Sequence, residues 1–403
     1  MAEETLQATD PLAARVGRRE NHGRLVQVVR RSAIRDSMLL VVLVAVWAFF
    51  YFSTDGIFLT QRNLVLLALQ TAIVSLAAIS AVMLIVTRNF DLSVGSAVAL
   101  VGVVLALLTV RFDVSPLLAV AASIVAGLLM GAWQGWWVTH VGVSSFIVTL
   151  AGMLYFRGIS MIATNGATVA PLPKSLTGFA TGFLPTSISI AVVVAVFALY
   201  VAFRLLELRR AHALHVLDRL GPALLRALAA PGIAAIAALW VVSWQGIPYL
   251  VLLVAVCTLG AEFLMRRTRF GARLYAIGGN PEAARLSGIN VSRTIFWNFV
   301  FAGLFYGIAG VALTARVSGA IGGTAGLFLE LDAIAAAIIG GTSIAGGRGR
   351  ILGALLGALL MGSLNNGMSL MNVPTFYQNT ARGVVLLLAV ALDQLSRRRG
   401  PLT

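Results

Sequence analysis

Residues 64–86 read LVLLALQTAIVSLAAISAVMLIV, a run without a single charged side chain. As an α-helix rising about 1.5 Å per residue, this run reaches about 34 Å, enough to cross the hydrocarbon core of a bilayer. Working outward, the pattern repeats. Apolar stretches of this kind, none with more than one charged residue, occur at 36–53, 91–110, 115–138, 144–163, 186–203, 294–315 and 331–346. Residues 227–261 carry no charge and are long enough for a hairpin, with Ser-Trp-Gln-Gly-Ile-Pro at 243–248 as its turn. Residues 351–381 are likewise uncharged, and Asn372-Val373-Pro374 divides them. The reading is an all-α polytopic membrane protein with about twelve transmembrane helices.

Composition agrees. The chain has 403 residues, 59% hydrophobic and only 11% charged, with a mean hydropathy of +0.93. Soluble domains run near a quarter charged, and no water-soluble core could bury this much apolar surface. The 40 glycines suit helices that pack closely in lipid.

The net charge of +15 could suggest nucleic acid, but the arginines flank apolar spans, as the positive-inside rule describes. With the N-terminus cytoplasmic and twelve spans, 24 basic residues fall inside and 5 outside, with Arg157 within a span. Both termini are therefore expected on the cytoplasmic side. Residues 1–35 form a basic N-terminal segment, 36–396 the membrane domain and 397–403 a tail. Residues 1–35 do not look like a cleaved signal peptide, because the first apolar run begins only at Met38. The chain is expected to meet lipid and no nucleic acid.

Chemistry is sparse. The only lysine, Lys174, lies in Pro-Lys-Ser and lacks the glycines of a phosphate-cradling loop. Cys257 is the one cysteine, which rules out an internal disulfide and a CxxC pair. His22, His140, His212 and His215 make no metal-ligand cluster. No HExxH or GxSxG occurs, so no catalytic residue and no metal site are expected.

The most informative polar segment is the basic loop at 266–293. Asn280-Pro281 is a good helix start, with Asn as cap and Pro in the first turn. Glu282 favours the positive helix end, and Gly288 stops the helix after about two turns. A short amphipathic helix on the cytoplasmic side is a lever for a soluble partner, or an ordinary interfacial helix without one.

Glu-Ala-Ala-x-x-x-Gly at 282–288 resembles the start of the coupling loop of ABC importer permeases. Further stretches are similar to the ribose/xylose/arabinose branch: Arg88-Asn-Phe-Asp91-Leu-Ser93-Val-Gly95-Ser, Tyr275-Ala-Ile-Gly-Gly-Asn280, Arg285-Leu-Ser-Gly-Ile-Asn290, Glu330-Leu-Asp332-Ala-Ile-Ala-Ala and Ile339-Gly-Gly-Thr-Ser-Ile-Ala-Gly-Gly347. Residues 363–378 look most like the xylose type, as does the added helix pair at about 186–245. The resemblance covers about residues 60–395. It implies a ten-helix permease core plus that pair in a bacterial cytoplasmic (inner) membrane. It implies a second copy of the chain, a cytoplasmic ABC ATPase that holds the ATP and Mg, and an extracytoplasmic sugar-binding protein. No cofactor is expected in this chain. ATPase coupling is assigned to Asn280, Pro281, Glu282, Ala283, Ala284, Arg285 and Gly288.

Polar groups within spans mark the candidate pathway. A neutral sugar needs hydroxyl-binding groups, and Gln70, Asp91, Ser93, Asn298, Asn365 and Asn366 are the assigned set; Ser75 and Asn165 also fit. Asp91 reads equally as a helix cap at the cytoplasmic end of its span. Glu330 and Asp332, just before the span at 331–346, cap that helix or dock the binding protein. Glu262 is expected to pair with Arg266. Arg157 is a snorkelling residue or half of an interhelical pair. Trp133, Trp136 and Trp137 read as an interfacial belt, over sugar stacking. A stand-alone secondary transporter or channel for small polar solutes is the alternative, but few mid-membrane carboxylates are available to couple ions.

Overall fold

Gln61–Val86 forms helix α2, the helix that the run at 64–86 predicts, and nearly all of its surface is covered by neighbours. A helix that is apolar all round belongs in the middle of a bundle, and α2 is the central post here. The hydroxyl of Thr60 caps its start, accepting from the Asn63 N–H at 3.4 Å. The structure is a computed structural model that describes residues 39–213 and 220–398. The expected N-terminal segment 1–35 and positions 399–403 of the expected tail lie outside the described residues.

Ahead of α2 stands α1 (Leu39–Ser53). After it come α3 (Val94–Ala106), which continues as a π-turn to Arg111, and α4 (Pro116–Trp136), which continues likewise to Val141. Next are α5 (Ser145–Thr164), strand β1 (Thr168–Val169), α6 (Lys174–Thr181), α7 (Thr186–Ala213), α8 (Leu220–Gln245) and α9 (Tyr249–Arg267). The chain ends with α10 (Arg269–Gly279), α11 (Pro281–Leu286), α12 (Val291–Val317), β2 (Ala320–Ile321), α13 (Leu329–Ile339), α14 (Ile351–Leu370) and α15 (Thr375–Arg398). The strands form one antiparallel ladder, with Thr168 opposite Ile321 and Val169 opposite Ala320. Eight of the described helices are long and apolar enough to cross a membrane. The other predicted spans are helical too, yet shorter or less apolar than crossing alone requires.

Gly127 and Gly131 of α4 stand four residues apart, the GxxxG spacing that lets helix backbones approach closely. Gly127 and Gly131 meet Gly303, Gly307 and Phe299 of α12 backbone to backbone, leaving no room for a β-carbon. α4 and α12 therefore run antiparallel in close contact. Gly353 and Gly357 of α14 nest in the same way against Gly340 and Ala336 of α13.

Three expectations need correction. The span predicted at 331–346 is only half a crossing: α13 has 11 residues, about 16 Å of helix. It stops at Gly340 and Gly341, where Gly341 takes φ 97°. The loop predicted at 204–226 is largely helix, because Leu205, Leu206, Glu207 and Leu208 are good helix formers and Arg204 pairs with Glu207 at 2.8 Å. α7 thus runs to Ala213 and α8 begins at Leu220. Asp91 does not lie at the cytoplasmic end of its span. After α2 the chain folds back into the bundle, so that Asp91 meets Tyr306 near the middle of α12 and α3 starts at that depth.

The pair α7 and α8 packs mainly on itself and touches the bundle through α2. Val196, Leu199, Phe203, Ile233 and Ile236 are exposed on its outer side. Glu262 and Arg266 pair at 2.6 Å, and Trp133, Trp136 and Trp137 cluster with Tyr155 and Phe156.

Candidate functional site

Half-helix α13 creates a polar hollow where a full span would have filled the bundle. Its first turn carries Asp332, 6% exposed. α14 runs antiparallel beside it, and Asn365 there donates to Asp332 Oδ2 at 3.2 Å. From α15, Arg382 Nε donates to Asn365 Oδ1 at 2.8 Å and lies 3.7 Å from Asp332 Oδ1. These groups open on a cavity of about 350 Å³, which Gln70 of α2 and Arg316 of α12 also line. Gln378 and Ser369 stand at its edge, with Gln378 donating to the Val373 carbonyl at 2.9 Å. Below, Asn63 and Asn366 exchange hydrogen bonds of 2.8 and 3.0 Å, and Asn366 donates to Gln70 at 3.4 Å. The result is a carboxamide ladder that fixes Gln70 and leaves donors and acceptors facing a hollow.

Three of the assigned pathway residues converge there directly or through one bond: Gln70, Asn365 and Asn366. Others do not. Asn298 donates to the Met83 carbonyl at 2.8 Å and to Thr87 Oγ1 at 3.2 Å, which ties α12 to the far end of α2. Asp91 accepts from the Ser93 N–H and hydroxyl, both at 2.7 Å, and from the Tyr306 hydroxyl. Gln134 of α4 donates to Ser93. This buried cluster braces the start of α3 and is not part of the lining of that cavity. Glu330 and Asp332 both face inward: Asp332 into the cavity, and Glu330 against Gly95 of α3. Arg157 donates to the carbonyls of Gly322 and Ala325 at 3.2 and 2.6 Å, so it holds the segment that leads into α13.

The residues that sequence reading missed here are Arg316, Arg382 and Gln378. Arg382 had a signal: it stands alone in an apolar stretch, where a charge at depth faces a cavity or a partner.

The opposite end of the bundle holds α10 and α11. Asn280 caps α11, its Oδ1 accepting from the N–H groups of Glu282 and Ala283 at 3.0 and 3.1 Å. Pro281 occupies the first turn, and Gly288 with φ 80° follows the end. α10 beneath it is an added helix that the sequence did not announce. Tyr275 on α10 donates to the Gly349 carbonyl at 2.9 Å. Burial holds its phenol above the usual range, so it remains a donor. Arg88, just after α2, donates to the carbonyls of Gly278 and Gly279 at 2.8 and 2.7 Å.

Residues 63–390 match the family described as branched-chain amino acid transport system / permease component. The chain belongs to that family. It is 44% identical to the xylose transport system permease protein XylH of Escherichia coli (strain K12) over 363 residues, 90% of this chain and 92% of that one. It is 40% identical to the XylH of Haemophilus influenzae, over 90% and 96% of the two chains. The ribose import permease protein RbsC of Escherichia coli (strain K12) is 36% identical over 83% and 87%. No solved structure matches the chain significantly. Family and helices together make this a multi-pass inner-membrane permease component, a conduit rather than a catalyst.

Proposed function

We propose that this chain is the membrane-spanning permease subunit of an ATP-driven importer for a monosaccharide, D-xylose or a related pentose. The observation that carries this is the paired arrangement at the two ends of one bundle. A cavity lined by hydroxyl-binding groups stands at one end, and at the other a capped short helix follows the end of α10 that Arg88 holds. Relatives named for xylose transport, matched nearly end to end, support the sugar.

In this reading two copies of the chain form the pathway. A cytoplasmic ABC ATPase engages Asn280–Gly288 and supplies ATP and Mg, and an extracytoplasmic sugar-binding protein delivers the cargo to the cavity end. The finer topology is also part of it: both termini cytoplasmic, a domain from 36 to 396 with the added pair at its edge, and twelve passes of the chain, one of them only half helical at α13. The 24-to-5 distribution of basic residues supports that orientation. A stand-alone transporter is not favoured, since the relatives are named as components of transport systems.

The test is reconstitution of the chain with its ATPase in liposomes, with binding protein added. D-xylose should stimulate ATP hydrolysis and enter the vesicles, and hexoses should do so less. Uptake by the chain alone down an ion gradient would refute the assignment.

A further inference from the structure

We propose that the cavity between α2, α12, α13, α14 and α15 is a binding subsite for a neutral monosaccharide, complete within a single copy of the chain. This rests on the permease reading and goes beyond it. A pathway formed between two copies needs no pocket inside each one, whereas this geometry gives every dimer two.

The size fits. About 350 Å³ is at the small end of small-molecule sites, which run from about 300 to 1,000 Å³. The polar groups are already held in place. Asn365 is fixed by Arg382 on one side and Asp332 on the other. The remaining carboxylate oxygen, Asp332 Oδ1, is buried and receives no hydrogen bond from the described residues. Its nearest cation, Arg382 Nε, is 3.7 Å away. That oxygen is closed to the cavity, so Asp332 acts by holding Asn365 and Arg382 in place. The carboxamides of Asn365 and Gln70 are the groups that can both donate to and accept from sugar hydroxyls. Ser369 supplies a further hydroxyl partner on the wall.

The rest of the lining suits the carbon skeleton of a sugar. Ile73, Val74, Leu313 and Leu329 give an apolar face against which C–H groups can lie. Charge is nearly balanced, which separates a neutral sugar from a sugar acid. Arg382 is offset by Asp332. Arg316 sits in the last turn of α12, where helix carbonyls offset a cation.

The experiment titrates the purified full-length chain in nanodiscs with radiolabelled D-xylose by equilibrium dialysis, with D-xylonate as the charged comparison. The expected result is saturable binding of xylose and at least tenfold weaker binding of xylonate. Asp332→Asn should weaken xylose binding at least tenfold. Ser369→Phe, at an exposed rim position, should abolish it without disturbing the fold. Absence of saturable binding, preference for xylonate, or binding indifferent to both substitutions overturns the subsite. The reconstituted complex separates this from the permease reading. Xylose uptake by the complex without binding to the chain alone removes only the subsite. Binding by the chain with no monosaccharide uptake by the complex removes the permease reading and leaves the subsite.

Discussion

The guanidinium of Arg88 clamps the carbonyl of Gly278, with Nε donating at 2.8 Å, and reaches the next carbonyl, Gly279, at 2.7 Å. Those carbonyls end α10, one residue before the Asn280 cap of α11. Arg88 itself follows the end of α2. The Gly347 N–H donates to the Val86 carbonyl at 2.9 Å, so the loop between α13 and α14 joins the same knot. A push on α11 therefore has a short bonded route to the central helix, and through the 340–350 loop to the half-helix that carries Asp332.

Replacing Arg88 with Gln should loosen this knot while leaving the α11 cap intact. Charge-assisted hydrogen bonds contribute about 1.5–3 kcal/mol each when buried, and the exposure of Arg88 reduces this to about 1 kcal/mol. ATPase assembly should be retained and sugar-coupled hydrolysis should fall roughly fivefold. Equal loss of assembly and coupling would show that Arg88 holds the docking surface and not the relay.

Adjacent glycines give a sharper contrast. A β-carbon at Gly278 would collide with the Val86 carbonyl and the Gly347 N–H, whereas one at Gly279 meets nothing within 4 Å. Gly278→Ala should lower both thermal stability and transport, because backbone atoms must move apart. Gly279→Ala should be neutral or stabilise α10 by about 0.5–1 kcal/mol. Melting temperatures of the two variants at matched membrane abundance check this, and similar values would mean that the knot is not tightly packed.

The cap of α11 supplies a third expectation. Asn280→Ala removes the acceptor of two N–H groups and should cost about 1 kcal/mol of local helix stability. Asn280→Asp should preserve it. Hydrogen exchange at the amides of 282–286 reads this directly. Faster exchange in the alanine variant alone is expected, and no change in either would assign the helix to packing instead of capping.

Much of this was legible because membrane helices write themselves in long uncharged runs. The α4–α12 contact was legible for a related reason, since Gly127 and Gly131 repeat at helix spacing. The short helix α11 showed itself through Asn280-Pro281. What stayed hidden depends on depth. An uncharged run gives the length of apolar chain but not where along the membrane it starts, so the sequence leaves Asp91 between a cap at the span's end and a group at depth, and the structure buries it. Half-helix α13 escaped for the same reason: Leu, Ile and Ala continue smoothly until Gly340 and Gly341 stop the helix. Arg316 reads as an ordinary flanking charge, and the isolation of Arg382 in an apolar stretch marks it without saying that α15 turns it inward onto Asn365.

The buried cluster at the start of α3 gives the last prediction. Asp91 takes three hydrogen bonds, one from the Tyr306 hydroxyl and two from Ser93. Both side chains are essentially buried. Tyr306→Phe removes a donor and leaves a carboxylate oxygen unpaired, which costs about 1–3 kcal/mol or more for a charged group. Asp91→Asn removes the charge that needs the donor and should cost less in the Tyr306→Phe background than alone. The double variant should therefore be less destabilised than the sum of the singles, by about 0.5–3 kcal/mol for residues in direct contact. Melting of the purified proteins in one detergent measures all four corners of the cycle. Additive effects would mean that Asp91 and Tyr306 stabilise the bundle independently, and the start of α3 would then need another anchor.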